Sequence, residues 1–123
     1  MSYDIRFGVK VEGAENAYAI IGRPERDDPT YNIRDIFVHS MDWDYHQGQW
    51  YPLSEVLPKV QRGITELKTN EGKYKKYNPS NGWGSTQSAL ECLESIWEWT
   101  HPSNPWKCEW DKDIPLDCIY MKF

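Results

Sequence analysis

The most regular pattern in the chain is the alternation of apolar and polar residues near its start. Apolar side chains occupy every second position from Tyr3 to Val11, and charged residues or glycine stand between them. A period of two residues is typical of a strand with one buried face. A second apolar run extends from Ala17 to Arg23, after a polar turn at residues 12–16. We therefore predict an N-terminal β-hairpin.

Three later segments place their apolar residues three or four positions apart, which is helical spacing. Each begins where a Ser, Thr or Asn side chain can cap the first turn, or where a proline is tolerated. The predicted helices run from Thr30 or Asn32 to Met41, from Ser54 or Leu57 to Lys68, and from Ser85 or Thr86 to Trp99. The third is predicted to have an acidic face and, with Cys92 between the two, an apolar face that consists of Ala89, Leu90, Leu93, Ile96 and Trp97. The segments between the helices, residues 42–51 and 70–77, are polar and are predicted to be loops.

Residues 116–123 are rich in apolar and aromatic side chains and predict a terminal strand. The resulting order, β-β-α-α-α-β, predicts a single α+β domain over residues 1–123. Its N-terminal hairpin and C-terminal strand would form a small antiparallel sheet covered on one face by three helices.

Charge and cysteine content narrow the class of protein. The formal net charge of −5 argues against a general nucleic-acid binder, which needs a basic face. The sequence contains no run of about 18 apolar residues, so no membrane span is predicted, and its alternating start does not resemble a signal peptide. Three cysteines without metal-ligand spacing favour a reduced compartment. We expect a cytoplasmic protein with neither a membrane nor a direct nucleic-acid partner.

The most distinctive stretch runs from Asn78 to Thr86 and contains two glycines, a proline, two asparagines and Trp83. Such residues shape a loop, and this one leads into a helix start, where free backbone N–H groups favour an anion. Thr30-Tyr31-Asn32 is a second candidate segment of the same kind, because it also stands at the start of a predicted helix. The alternative for both is structural, with capping alone at residues 30–32 and Trp83 packed into the core.

The ligand expected at these two segments is small and nucleotide-like. Aromatic rings would stack on its base, asparagines would donate to its polar edges, and backbone N–H groups of residues 84–86, helped by lysine, would meet phosphate. The candidate ligand-binding residues are Tyr31, Asn32, Lys75, Lys76, Asn78, Asn81, Trp83, Gly84, Ser85 and Thr86.

Three motifs resemble a family of small bacterial and phage-borne proteins of uncharacterised function. These motifs are Met1-Ser2-Tyr3-Asp4-Ile5, Thr30-Tyr31-Asn32-Ile33 and Tyr77-Asn78-Pro79-Ser80-Asn81-Gly82-Trp83-Gly84. The resemblance covers residues 30–41 and 54–97 best. It implies a phage or prophage setting, in the cytoplasm of an infected or lysogenic host, and no established reaction.

Catalytic and metal-binding patterns are weak. There is no nucleophile elbow and no phosphate loop, and Cys108 has no histidine close by in sequence. His39, Asp42, Asp44 and His46 are metal-capable residue types, but their spacing is better explained by a solvated loop. We therefore predict a protein that is not an enzyme and has no cofactor and no metal.

The leading hypothesis is a non-enzymatic binding protein for a nucleotide-like ligand, which in a phage would sequester a host signal nucleotide as an anti-defence protein. The alternative is an acidic inhibitor or adaptor that binds a host protein, such as a nucleic-acid enzyme. Its acidic contacts would include Glu94 and Glu98, and its aromatic anchors would be Trp97, Trp99, Trp106 and Trp110. A third alternative is an accessory domain that forms homo-oligomers through exposed aromatic residues.

Overall fold

The computed structural model describes residues 2–13, 17–100 and 114–123, and its centre is a four-stranded antiparallel sheet. The strands are β1 (Arg6–Lys10), β2 (Tyr18–Gly22), β3 (Trp50–Pro52) and β4 (Ile119–Lys122), in the order β2-β1-β4-β3. The predicted α+β class and the N-terminal hairpin are confirmed. The C-terminal strand lies beside β1, inside the sheet rather than at its edge.

The strand β3 corrects the prediction that residues 42–51 form only a loop. It has three residues, pairs with β4 and ends at Pro52. A segment this short shows no readable alternation, and proline is confined to edge strands because it cannot donate to the ladder. The strand therefore lies where its sequence allows, at the edge of the sheet.

The alternation that begins at Tyr3 reflects an extended segment longer than β1 itself. The backbone N–H of Tyr3 donates to the carbonyl of Pro29 at 2.8 Å, and that of Ile5 donates to the carbonyl of Asp27 at 2.9 Å. Tyr3 and Ile5 are both buried. The first residues thus follow strand geometry but pair with the loop before the first helix, and only Arg6–Lys10 pairs within the sheet.

Four helices are described, one more than predicted: α1 (Arg34–Met41), α2 (Leu53–Thr69), α3 (Glu71–Tyr74) and α4 (Thr86–Trp99). Single 3-10 turns occupy Tyr31–Ile33, Lys75–Tyr77 and Leu116–Cys118. The helix α2 begins one residue before the first of its two predicted starts and accommodates Pro58 in its second turn. The helix α3 lies in the segment predicted to be a loop.

The core lies between the helices and one face of the sheet. Phe7 and Met121 are register partners on that face, and both are fully buried. The ring of Trp99 at the end of α4 stacks on Phe7, with 3.9 Å between ring centroids. A Cβ atom at Gly22 would come within 2.8 Å of the same indole, so the absence of a side chain there makes room for it.

Two residues of α4 lie elsewhere than their sequence positions suggested. Cys92, predicted at the boundary between the buried and acidic sides, is fully buried. Trp97, predicted on the apolar face, is 39% exposed. Trp99 is buried instead, so the buried face of α4 is rotated slightly from the predicted one.

Candidate functional site

The two candidate segments of the sequence, residues 30–32 and 78–86, lie against each other. Gly84 has φ of +95°, a conformation that L side chains rarely adopt. A Cβ atom there would come within 2.5 Å of Ile33 Cγ2 and 2.8 Å of Thr30 Cγ2. Glycine at this position therefore lets the loop of residues 78–86 pack directly on the start of the first helical segment. We call this assembly the corner.

Trp83 points away from the core and is 68% exposed, so the alternative that packed it into the core is wrong. Its backbone N–H donates to Oδ1 of Asn81 at 3.0 Å, which fixes the turn beneath the indole. Tyr31 is half-buried, and its ring makes an edge contact with Tyr3 at 4.6 Å between centroids. Asn32 is exposed beside it. The corner thus presents one open indole and one partly covered phenol.

Most N–H groups at the start of α4 already have partners within the chain. Ser85 and Ser88 form a reciprocal capping box, in which each backbone N–H donates to the other side chain. The N–H of Thr86 donates to Oδ1 of Asn78 at 3.0 Å, and its hydroxyl donates to the carboxylate of Glu71 at 2.9 Å. A carboxylate therefore already lies near the positive end of the helix. The N–H groups of residues 85 and 86 are therefore not free to donate to a phosphate, contrary to the prediction.

The basic residues next to the corner lie on the 3-10 turn that precedes the loop. Lys75 and Lys76 are both exposed. The ammonium of Lys76 lies 5.2 Å from the ring centroid of Tyr77, which in turn stacks on His39 at 4.4 Å. In the described part of the chain, no three His, Cys, Asp or Glu side chains are grouped as metal ligands would be. His39 belongs instead to this stack.

A second candidate site is a groove of about 450 Å³ between α2 and α4. Its lining residues are spaced by three or four positions along each helix, so each helix contributes one stripe. The stripes consist of Gln61, Ile64, Thr65, Lys68 and Thr69 on α2, and of Glu94, Trp97 and Glu98 on α4. We call this feature the groove.

The groove carries an exposed indole between carboxylates. Lys68 Nζ lies 3.4 Å from Glu94 Oε2 and bridges the two helices. Glu98 has no ion-pair partner among the described residues. Three residues proposed for the protein-binding alternative, Glu94, Trp97 and Glu98, thus lie together here. Trp99, proposed with them, is a core residue, and Trp106 and Trp110 lie outside the described residues.

The sequence held a partial signal for the groove. Each stripe is readable from helical spacing, and Trp97 follows Glu94 by three positions. Which helix faces which is set by tertiary packing, so the pairing of the two stripes was not predictable.

Groups with strongly perturbed pKa values lie in the core rather than in either site. Burial raises the pKa of the Cys92 thiol, which therefore remains protonated near neutral pH. The hydroxyls of Tyr3 and Tyr45 lie 2.7 Å apart and share a hydrogen bond. Burial raises the pKa of both phenols. These groups are placed for stability and do not face solvent.

Comparisons with protein-family models, curated proteins and solved structures give no match for this chain. Within the described residues, no helix combines the length and the apolar character needed to cross a membrane.

Proposed function

We propose that the chain is a non-enzymatic binding protein whose groove docks a basic segment of a partner protein. The observation that supports this proposal best is the exposed ring of Trp97, which is grouped with Glu94 and Glu98 along one cavity. In the phage setting that the family resemblance implies, such a partner would be a host protein.

The chemistry of the groove suits a lysine or arginine side chain. A cation over an indole gains about 0.5–1 kcal/mol at an exposed site and about 2 kcal/mol when desolvated. Glu98 adds a carboxylate that no described residue pairs with, and Ile64 adds apolar surface for the aliphatic part of the side chain. The net charge of −5 would also speed the encounter with a basic surface.

Affinity purification from host lysate, repeated with charge-reversed bait, tests this proposal. The wild-type chain should retain one host protein in stoichiometric amount, and Glu94→Lys with Glu98→Lys should release it. The matched control is Glu25→Lys with Glu55→Lys, which makes the same charge change at exposed positions outside the groove. Equal retention by both double variants would contradict the proposal.

Trp97→Ala separates the contribution of the ring from that of the charges. An interface tryptophan at a hot spot contributes about 2 kcal/mol or more, so affinity for the purified partner should fall about 30-fold. Trp97 is exposed, so the variant should keep the melting temperature of the parent to within a few degrees. Unchanged affinity would remove Trp97 from the interface.

A second candidate function is binding of a nucleotide-like ligand at the corner, in which the chain would sequester a signal nucleotide. The observation that favours it is the exposure of Trp83 beside residues 30–32. The side-chain oxygens of Asn78 and Asn81 already accept hydrogen bonds, which leaves their amide NH2 groups to donate to a base. Phosphate would then be met by Lys75 or Lys76 rather than by the start of α4.

A thermal-shift titration against cyclic dinucleotides, ADP-ribose isomers and plain nucleotides tests this second function. A ligand at 100 times its dissociation constant stabilises the folded state by about 2.7 kcal/mol. The shift should disappear in Trp83→Ala and persist in Trp97→Ala, which removes an exposed indole from the other site. A shift that survives Trp83→Ala would place the ligand elsewhere, and no shift across the panel would reject this function.

A further inference from the structure

The face of the sheet that points away from the helices carries a cluster of aromatic residues. Strand register places alternate residues on this side, opposite to Phe7 and Met121. We call it the open face. Its large apolar and aromatic residues are Tyr18, Ile20, Trp50 and Tyr120.

Aromatic rings from three strands meet on the open face. Trp50 stacks on Tyr18 with 4.7 Å between centroids, and Tyr18 contacts Tyr120 edge-on at 5.1 Å. A Cβ atom at Gly8 would come within 2.9 Å of the Trp50 ring, although Trp50 lies two strands away. Glycine is unfavourable in a strand interior, and here its missing side chain makes room for an indole that extends across the sheet.

The aromatic cluster is only partly covered. Tyr18, Trp50 and Tyr120 are half-buried, and Ile20 beside them is 59% exposed. Parts of three aromatic rings, together with the side chain of Ile20, therefore remain accessible on the open face.

The unpaired charges of the open face are positive, in contrast to the net charge of −5 of the chain as a whole. Arg6 is neutralised by two carboxylates, Asp27 at 2.7 Å and the exposed Asp4 at 2.5 Å. Lys10 and Lys122 have no ion-pair partner among the described residues, and Lys122 Nζ lies 5.5 Å from the Trp50 ring centroid. Two lysines are thus available beside the rings.

We propose that the open face binds single-stranded nucleic acid. Bases stack on aromatic side chains whatever their sequence, and lysines beside the rings neutralise backbone phosphates. An antiparallel sheet with helices on one face and aromatic residues on the other presents both features on one rigid surface. The negative total charge argued against such a partner, but contact electrostatics depend on the surface that meets the phosphates, and this surface carries two lysines without an ion-pair partner among the described residues.

Fluorescence anisotropy with a labelled ten-nucleotide oligothymidine tests the proposal. With two phosphate contacts, the logarithm of the affinity should fall with the logarithm of salt concentration with a slope of about −1.4. Raising salt from about 50 mM to 200 mM should therefore weaken binding about sevenfold. No binding at about 100 μM protein in 50 mM salt would overturn the proposal, because even non-specific binding falls within that range.

Two sets of variants assign the binding to this surface. Lys10→Glu with Lys122→Glu should weaken binding at least tenfold and remove the salt dependence. The control, Arg26→Glu with Lys59→Glu, makes the same charge change on segments at the helix side of the sheet. Its affinity should stay within about twofold of the parent, and its salt dependence should be unchanged. Equal losses in the two double variants would show a non-specific charge effect and overturn the proposal.

Substitutions at Trp50 test the stacking. Trp50→Phe should retain most of the affinity, and Trp50→Leu should lose about tenfold. If Trp50→Leu fails to fold, the lysine variants still decide. Sedimentation velocity of the unliganded chain tests a competing explanation. A concentration-dependent dimer that Ile20→Lys abolishes would make the open face a contact between copies of the chain and would overturn the proposal.

Discussion

Gly63 lies at the contact of α2 with its neighbours and offers a sharp test of how the helices pack. A Cβ atom there would come within 2.6 Å of Leu93 Cδ1 and 2.9 Å of Met41 Cγ. Both neighbours are fully buried, so neither has empty space into which to move. Gly63→Ala therefore adds a methyl group where three helices already touch.

Two opposing effects set the expected stability of Gly63→Ala. Alanine favours a helix interior over glycine by about 1 kcal/mol. Overpacking of a filled core costs about 1–3 kcal/mol. With both neighbours displaced, we expect the steric cost to be larger, so that the variant is about 1 kcal/mol less stable and melts about 4 °C lower.

Gly72 provides the matched control, since it lies in α3 and a Cβ atom added there would have no neighbouring atom within 4 Å. Gly72→Ala should be neutral or stabilising by up to about 1 kcal/mol. Urea denaturation at constant m-value measures both changes. In a Leu93→Ala background, which opens the contact, Gly63→Ala should become stabilising. Equal effects of the two alanines in the parent chain would refute the close packing at Gly63.

Further predictions concern the corner and the buried tyrosine pair. Gly84→Ala should cost about 1–2 kcal/mol more than Gly82→Ala in urea denaturation, because both have positive φ but only Gly84 meets neighbouring atoms; equal costs would mean that the two corner segments do not touch. Tyr3→Phe and Tyr45→Phe should each cost about 1–3 kcal/mol by leaving one buried hydroxyl unpartnered, and the double variant should cost less than the sum. Burial raises the pKa of both hydroxyls above the unfolded value of about 10. Their stabilisation is therefore complete below that pH and is lost as the pH rises from there towards the folded-state pKa, at up to about 1.4 kcal/mol per pH unit for each group. Unfolding free energies at pH 8 and about 11 should therefore differ less in the double variant than in the parent, and an unchanged difference would mean that the two phenols are not protected in the folded state.

Local signals predicted the elements of this fold better than their arrangement. The start of α4 followed from Ser85, because a capping side chain acts within one turn of its own helix. The short strand β3 was missed because three residues carry no period, and the central position of β4 was missed because strand order depends on partners far away in sequence.

For the candidate sites, too, local features were predictable from the sequence and long-range contacts were not. The exposure of a loop tryptophan and the helix caps were within reach of local patterns. The use of Asn78 and Glu71 to satisfy the start of α4 was not, since Glu71 lies 15 positions from the threonine that it contacts. The anion site expected from a free helix start is for this reason occupied by the chain's own groups.

Two exposed indoles and one half-buried indole lie on three separate surfaces, and this separation makes the proposals independent of one another. Trp83 belongs to the corner, Trp97 to the groove and Trp50 to the open face. Full burial of a large apolar side chain stabilises by about 1.5–3 kcal/mol, which each of these residues forgoes in part. Because no two share a neighbour in the contacts described, each single substitution removes one surface and leaves the other two as internal controls. A ligand lost in one variant alone therefore identifies its site directly, whereas a ligand lost in all three would indicate unfolding rather than binding.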